Sequence, residues 1–188
     1  MKRISTDAEY LDSGKIVVDA DGIPVDLGYR GTGSPEGKVA APVGSIYTDS
    51  AATNGAIRWV KTSGTGNTGW RVEYGDTGLR NITPLTTAIS GNFTLQRIGR
   101  AVSIYAPSSS FSMANGARIL TLPTGFHPPN LVYTQTPPYW TSDVLRTVRI
   151  ETNGTVIVRG GTDSDLLNLS FTFPTNQPWP TTLPGIPA

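Results

Sequence analysis

The chain never runs far without a backbone breaker. No window of 11 or more residues keeps a 3.6-residue apolar period free of glycine and proline. The 21 glycines and 15 prolines cut its 188 residues into short runs. Between the breaks lie segments rich in β-branched and aromatic side chains, which suit a pleated, half-buried surface. Many short strands at such spacing predict an all-β chain with little helix: a small β-hairpin neck followed by a β-sandwich, jelly-roll-like head.

The pattern places strands at 15–18, 45–48, 56–62 and 69–74, with SGTGNTG joining the last two as a hairpin. After the break at Thr83-Pro84 come 93–98, 101–105, 117–122, 130–135, 144–151 and 166–173. Asn153-Gly154 is the strongest hairpin signal, because a type I′ turn needs two residues at positive φ. Leu167, Leu169, Phe171 and Phe173 alternate onto one face of the last strand. Beyond Pro174, four further prolines predict an extended tail without ladder bonds. GTGSPEG at 31–37 is turn chemistry and reads as a linker. The expected organisation is 1–30 as an attachment segment, 31–83 as a β neck and 84–188 as the head.

Charge excludes several functions. Only 15% of residues are charged and the net charge is +1, so broad steering onto nucleic acid or an anionic membrane has no basis. The arginines are scattered, without the basic run of a nucleic-acid protein. No cysteine and one histidine, His127, leave no thiol chemistry, no Cys-ligated zinc and no all-His metal site. The first residues, MKRISTDAEYLDSG, interrupt any apolar run, so no amino-terminal signal and no membrane insertion are expected.

The motifs that resemble chemistry sit in the wrong context. Gly64 to Gly69 matches G-x-G-x-x-G, but a strand follows where a phosphate cradle needs a helix start. Asp19, Asp21 and Gly22 have calcium-loop spacing, yet Val17 and Gly28 would occupy the first and last ligand positions. Asp163 and Asp165 form a conceivable acid pair, with Asp143 and Glu151 nearby in sequence; a GTDSD loop reads first as solvated turn acids. His127, wedged before two prolines, reads as a structural loop residue. The sequons at Asn81, Asn92, Asn153 and Asn168 read as chance matches in a Ser/Thr-rich chain without a secretion signal. No catalytic residue, metal or cofactor is assigned. Tyr139 and Trp140 follow Pro137-Pro138 and precede Thr141, Ser142 and Asp143. Two readings stay open: stacking faces for a sugar with Asp143 accepting hydroxyl hydrogen bonds, or a loop packed on the sandwich edge or a subunit seam.

One segment carries a resemblance. GSPEGKVAAPVGSIYTDSAATNGAIRWVKTSGTGNTGW, residues 33–70, resembles a stretch widespread in tail proteins of tailed bacteriophages. Its pattern is GSPEG, then APxGSxYTD, a Trp, then K-x-SGTGNTGW, and Ser45, Tyr47, Asp49, Trp59, Lys61 and Trp70 fall on it. More loosely, LPTGFHPPN, VRIETNGTVIV and FTFPTNQPWP resemble stretches of phage fibre heads. The resemblance implies a minor tail or tail-fibre protein, typically a homotrimer, that joins an attachment portion to a receptor-binding portion.

These readings combine into one expectation. The chain is expected to be a virion tail-fibre or receptor-binding protein, made in the host cytoplasm, placed at the tail tip, and binding a host cell-surface saccharide weakly and multivalently. Residues 1–30 would dock on other tail or baseplate proteins. Trimerisation would bury Tyr47, Trp59 and Trp70 of three necks against one another, since a lone hairpin is marginal in water. The alternatives are a capsid decoration or head-fibre protein and, from a different class, a host-glycan depolymerase.

Overall fold

The computed structural model describes residues 16–18, 24–26, 28–86, 91–110, 116, 118–136, 146–160 and 166–188. The chain forms two compact units, Met1–Gly75 and Asp76–Ala188. Among the described residues the regular structure is β, apart from one 3-10 turn at Thr83–Leu85 that begins with Pro84 in its first positions. The chain is all-β, with a small β unit followed by a β-sandwich.

In the first unit, β1 (Ile16–Val18) and β2 (Pro24–Asp26) pair antiparallel. Pro24 starts its strand, a position where a missing N–H is tolerated. A four-stranded sheet follows: β3 (Tyr29–Gly31), β4 (Ile46–Asp49), β5 (Ala56–Lys61) and β6 (Trp70–Gly75), ordered β3-β4-β5-β6. The expected hairpin is present as β5–β6, with Lys61 opposite Trp70. The pairing of β3 with β4 is parallel. A parallel pair needs a crossover, and residues 32–45 supply it. The neck therefore has four strands rather than three. Its first strand straddles the boundary at residue 31, because a three-residue strand leaves no readable alternation.

The second unit contains β7 (Arg80–Asn81), β8 (Thr94–Ile98), β9 (Ala101–Ser110), β10 (Arg118–Thr121), β11 (Val132–Thr136), β12 (Arg146–Ile150), β13 (Thr155–Arg159), β14 (Leu166–Pro174) and β15 (Ile186–Pro187). One sheet has the order β14-β9-β8-β7-β15 and the other β10-β13-β12-β11. In the second, β11, β12 and β13 run as a meander and β10 returns beside β13, which is a Greek key. Alternation turns Leu95, Val102, Ile104, Leu169 and Phe173 of the five-stranded sheet inward. They share one core with Ile119, Val148, Ile150, Val156 and Val158 of the four-stranded sheet. This common core makes the pair of sheets a sandwich.

Two local expectations are corrected. Asn153-Gly154 does not form a type I′ turn, because only Gly154 has positive φ (84°). Gly154 N–H donates to Glu151 O (2.9 Å) and Glu151 N–H to Thr155 O (2.9 Å), giving a three-residue loop closed by a left-handed glycine. A Cβ on Gly154 would lie 2.6 Å from the His127 ring and 2.9 Å from Leu122 O, so packing as well as φ selects glycine here. The tail is not free of ladder bonds: Ile186 pairs with Asn81 and Pro187 with Arg80, and Ala188 N–H donates to Leu79 O.

Candidate functional site

Most motif residues of the first unit close it upon itself. Lys61 is only 1% exposed, and its Nζ donates to Gly66 O (2.6 Å) and to Thr68 O, lying 5.8 Å from the Trp70 ring centroid. The glycine-rich loop thus offers carbonyls to a lysine, the opposite polarity from a phosphate cradle. The Glu36 carboxylate accepts the N–H groups of Gly69 (3.1 Å) and Trp70 (2.7 Å). Trp70 Nε1 donates to Val39 O (2.8 Å), and Asn67 and Gly37 exchange two hydrogen bonds. Asp49 is buried and accepts from Gly33 N–H (2.8 Å) and Ala51 N–H (2.9 Å). Burial, and then the Asp49 charge, pushes the Tyr47 hydroxyl above its ordinary range.

Tyr47, Trp59 and Trp70 are 4%, 5% and 5% exposed within a single chain. Trp70 meets Tyr29 and Tyr47 edge-on at 6.2 and 6.1 Å. The expectation that three copies are needed to bury these rings is therefore corrected. The crossover and the fourth strand, both missed in sequence, reach Trp70: Val39 O accepts from its Nε1 and Tyr29 meets its ring.

In the second unit, three arginines hold the proline-rich tail. Arg97 is 4% exposed and donates to Gly99 O (2.9 Å), Gly125 O, Pro178 O (2.8 Å) and Gln177 O (3.0 Å), with Trp179 stacked 4.8 Å from its guanidinium. Burial, with the Arg100 charge adding to it, pushes Arg97 down to about 10. Arg80 donates to Pro184 O and Gly185 O, and Arg100 to Thr175 O and the Asn176 side chain. Sequence reasoning missed this clamp. Its only signal was arginine in a chain whose prolines leave carbonyls without N–H partners.

His127 is structural: its Nε2 lies 2.8 Å from Leu122 O, and its own carbonyl accepts from Thr175 Oγ1 (2.7 Å). Asn81 and Asn153 use their side-chain oxygens to close turns on Thr83 and Thr155. Tyr139, Trp140 and Asp143 lie outside the described residues, as do Asp19, Asp21, Gly22, Asp163 and Asp165. The strands flanking these head positions are described. Thr136 pairs with Arg146, Ser110 with Leu166, and Gly116 N–H donates to Val158 O. The strand ends that flank 111–115, 137–145 and 161–165 therefore open at one end of the sandwich. The Gly99-Arg100 and Gly154 turns lie at the other.

The two outer faces of the sandwich differ in charge. Outward positions of the four-stranded sheet form the cross-strand row Tyr133–Arg149–Ile157–Arg118 and a neighbouring row Gln135–Thr147–Arg159. Among the described residues the acid beside them is Glu151, hydrogen-bonded to Arg149, and this bond raises the Arg149 guanidinium above its ordinary range. Outward positions of the five-stranded sheet include Thr94, Gln96, Ile98, Ser103, Tyr105, Ser170 and Thr172, with Ser103 and Thr172 hydroxyls 2.7 Å apart. None of these is charged. Among the described residues, no three histidine or acidic side chains gather as metal ligands.

No family model matches the chain, and no curated protein is significantly similar to it.

Proposed function

We propose that this chain is a receptor-binding fibre protein of a tailed-bacteriophage particle. One observation carries the reading: the segment that resembles phage tail proteins lies within one compact unit here. Tyr47, Asp49, Trp59, Lys61 and Trp70 supply its core and its loop ties. A separate sandwich follows it, the arrangement of a connecting module and a terminal binding module. Three connections of the head, 111–117, 137–145 and 160–165, join strand ends at one end of the sandwich, and binding residues concentrate on loops carried by a rigid scaffold. In this reading Tyr139, Trp140 and Asp143, in the β11–β12 connection, contact a cell-surface saccharide. The particle is reached through residues 1–30, and three chains associate. No catalytic step is assigned.

Purified chain, added in excess to cells, should reduce particle adsorption in proportion to occupancy. It should release no reducing ends from envelope glycans. Unchanged adsorption at saturating protein would refute receptor binding. Released oligosaccharides that vanish in Asp163→Asn or Asp165→Asn would move the assignment to a depolymerase.

A further inference from the structure

We infer that the outer face of the four-stranded sheet, centred on Tyr133, Arg149 and Arg159, binds an anionic polysaccharide. The receptor-binding reading supplies the cell surface as the source of the polymer; the surface chemistry stands apart from it. Arg118, Arg149 and Arg159 belong to one outer face, with Glu151 as their acidic neighbour among the described residues. The opposite outer face has no charged outward side chain in β8, β9 or β14. The arginines are therefore not an even solubilising coat. Neighbouring strands lie about 4.8 Å apart, so the backbones of Arg149 and Arg118, two strands apart, are about 10 Å from each other. That spacing suits successive acidic groups along a polymer.

Guanidinium groups bind sulfate, phosphate and carboxylate through paired N–H donors. Tyr133 is 59% exposed and directly opposite Arg149, offering a flat face for a sugar ring beside a cation. A second copy of this chain is a poor occupant. The described acids of the head are Asp76, held by Gln96, and Glu151, held by Arg149, so among the described residues of the head no acidic face matches it. The surface also belongs to β11 and β12, the strands that flank residues 137–145.

The test uses the full chain with dextran sulfate, neutral dextran and a short DNA duplex as probes, with thermal melting recorded beside binding. Dextran sulfate should bind with an affinity that falls as salt rises, and neutral dextran should bind far more weakly. An exposed charge contact is worth about threefold. The Arg149→Gln/Arg159→Gln pair should therefore weaken binding about tenfold at unchanged melting. Glu151→Gln should tighten it about threefold. Arg58→Gln, in the other unit, should change nothing. Should the double variant misfold, Arg159→Gln and Glu151→Gln alone carry the opposite-sign test. The inference is overturned by absent binding, by an equal loss in Arg58→Gln, by an indifferent double variant, or by DNA binding as tightly as dextran sulfate. Cell adsorption separates the two readings. If the double variant loses polymer binding but adsorbs normally, this surface has no receptor role while the receptor reading survives. If wild type binds dextran sulfate as expected but never adsorbs, the receptor reading fails and the surface assignment stands.

Discussion

Arg97→Met should release the carboxy-terminal tail of the head. The guanidinium is buried, and its partners are four backbone carbonyls and the Trp179 ring. Methionine fills similar space but donates nothing, so all four carbonyls lose their donor; Gly99 O sits in a half-exposed turn where water replaces it, which leaves Gly125 O, Pro178 O and Gln177 O to count. An orphaned buried carbonyl costs about 1–3 kcal/mol. Gln177 and Pro178 lie near solvent and regain some hydration, so about 1 kcal/mol each, or about 3 kcal/mol together, is the working figure. The unit spans Asp76–Ala188, and for that size about 4 °C is lost per kcal/mol, giving a drop near 12 °C. Thermal melting followed by tryptophan fluorescence reads it directly. Limited proteolysis should also cut the variant first within 175–188. A melting shift under about 2 °C, with the tail still protected, would refute the clamp. The sign with pH is set by the lowered Arg97 value. The unfolded chain binds more protons from about 10 up to the ordinary arginine range, so the charge's burial cost is present below 10 and relieved as pH rises through that window.

Three further outcomes follow from the same contacts. Trp59→Ala removes a ring buried within one chain, so the first unit should lose about 3–5 kcal/mol in urea unfolding, with a loss that does not depend on protein concentration; a concentration-dependent loss would return the ring to a subunit seam. The raised Tyr47 hydroxyl contributes stability that is whole below pH 10 and lost as pH climbs beyond it, so Tyr47→Phe should flatten the alkaline decline of that unit's melting temperature. Trp140→Ala should abolish cell adsorption while melting and native-mass trimer content stay unchanged; a joint fall in melting and trimer content would assign the residue to a subunit seam.

The strands carried by strong alternation were legible in sequence. β12, β13 and β14 lie close to where branched and aromatic residues alternate, because each buries one face on the common core. Short strands were not: β3, β7 and β15 have two or three residues each, and their pairing depends on long-range partners. β15 also requires Gly185 to approach Asn81 so closely that a Cβ would lie 2.0 Å from its carbonyl oxygen, a constraint invisible without the partner strand. Asn153-Gly154 signalled a turn correctly but not its type, since Asn153 keeps negative φ and caps the turn with its side chain. Tyr47, Trp59 and Trp70 were legible as a core. That one chain encloses them was not, because GTGSPEG at 31–37 reads as a linker and β3 is too short to show alternation. The charged face of the head was hidden for a related reason: Arg118, Arg149 and Arg159 are scattered in sequence and meet only through β10–β13 and β12–β13 pairing.

The proposed placement on a virion is tested most directly by gold-labelled antibodies against the head, applied to intact particles and viewed by electron microscopy. The account predicts label confined to the tail tip or its fibres, in clusters that suit three chains per fibre. Label over the capsid would support a decoration protein instead, and particles that never label would contradict a virion role altogether.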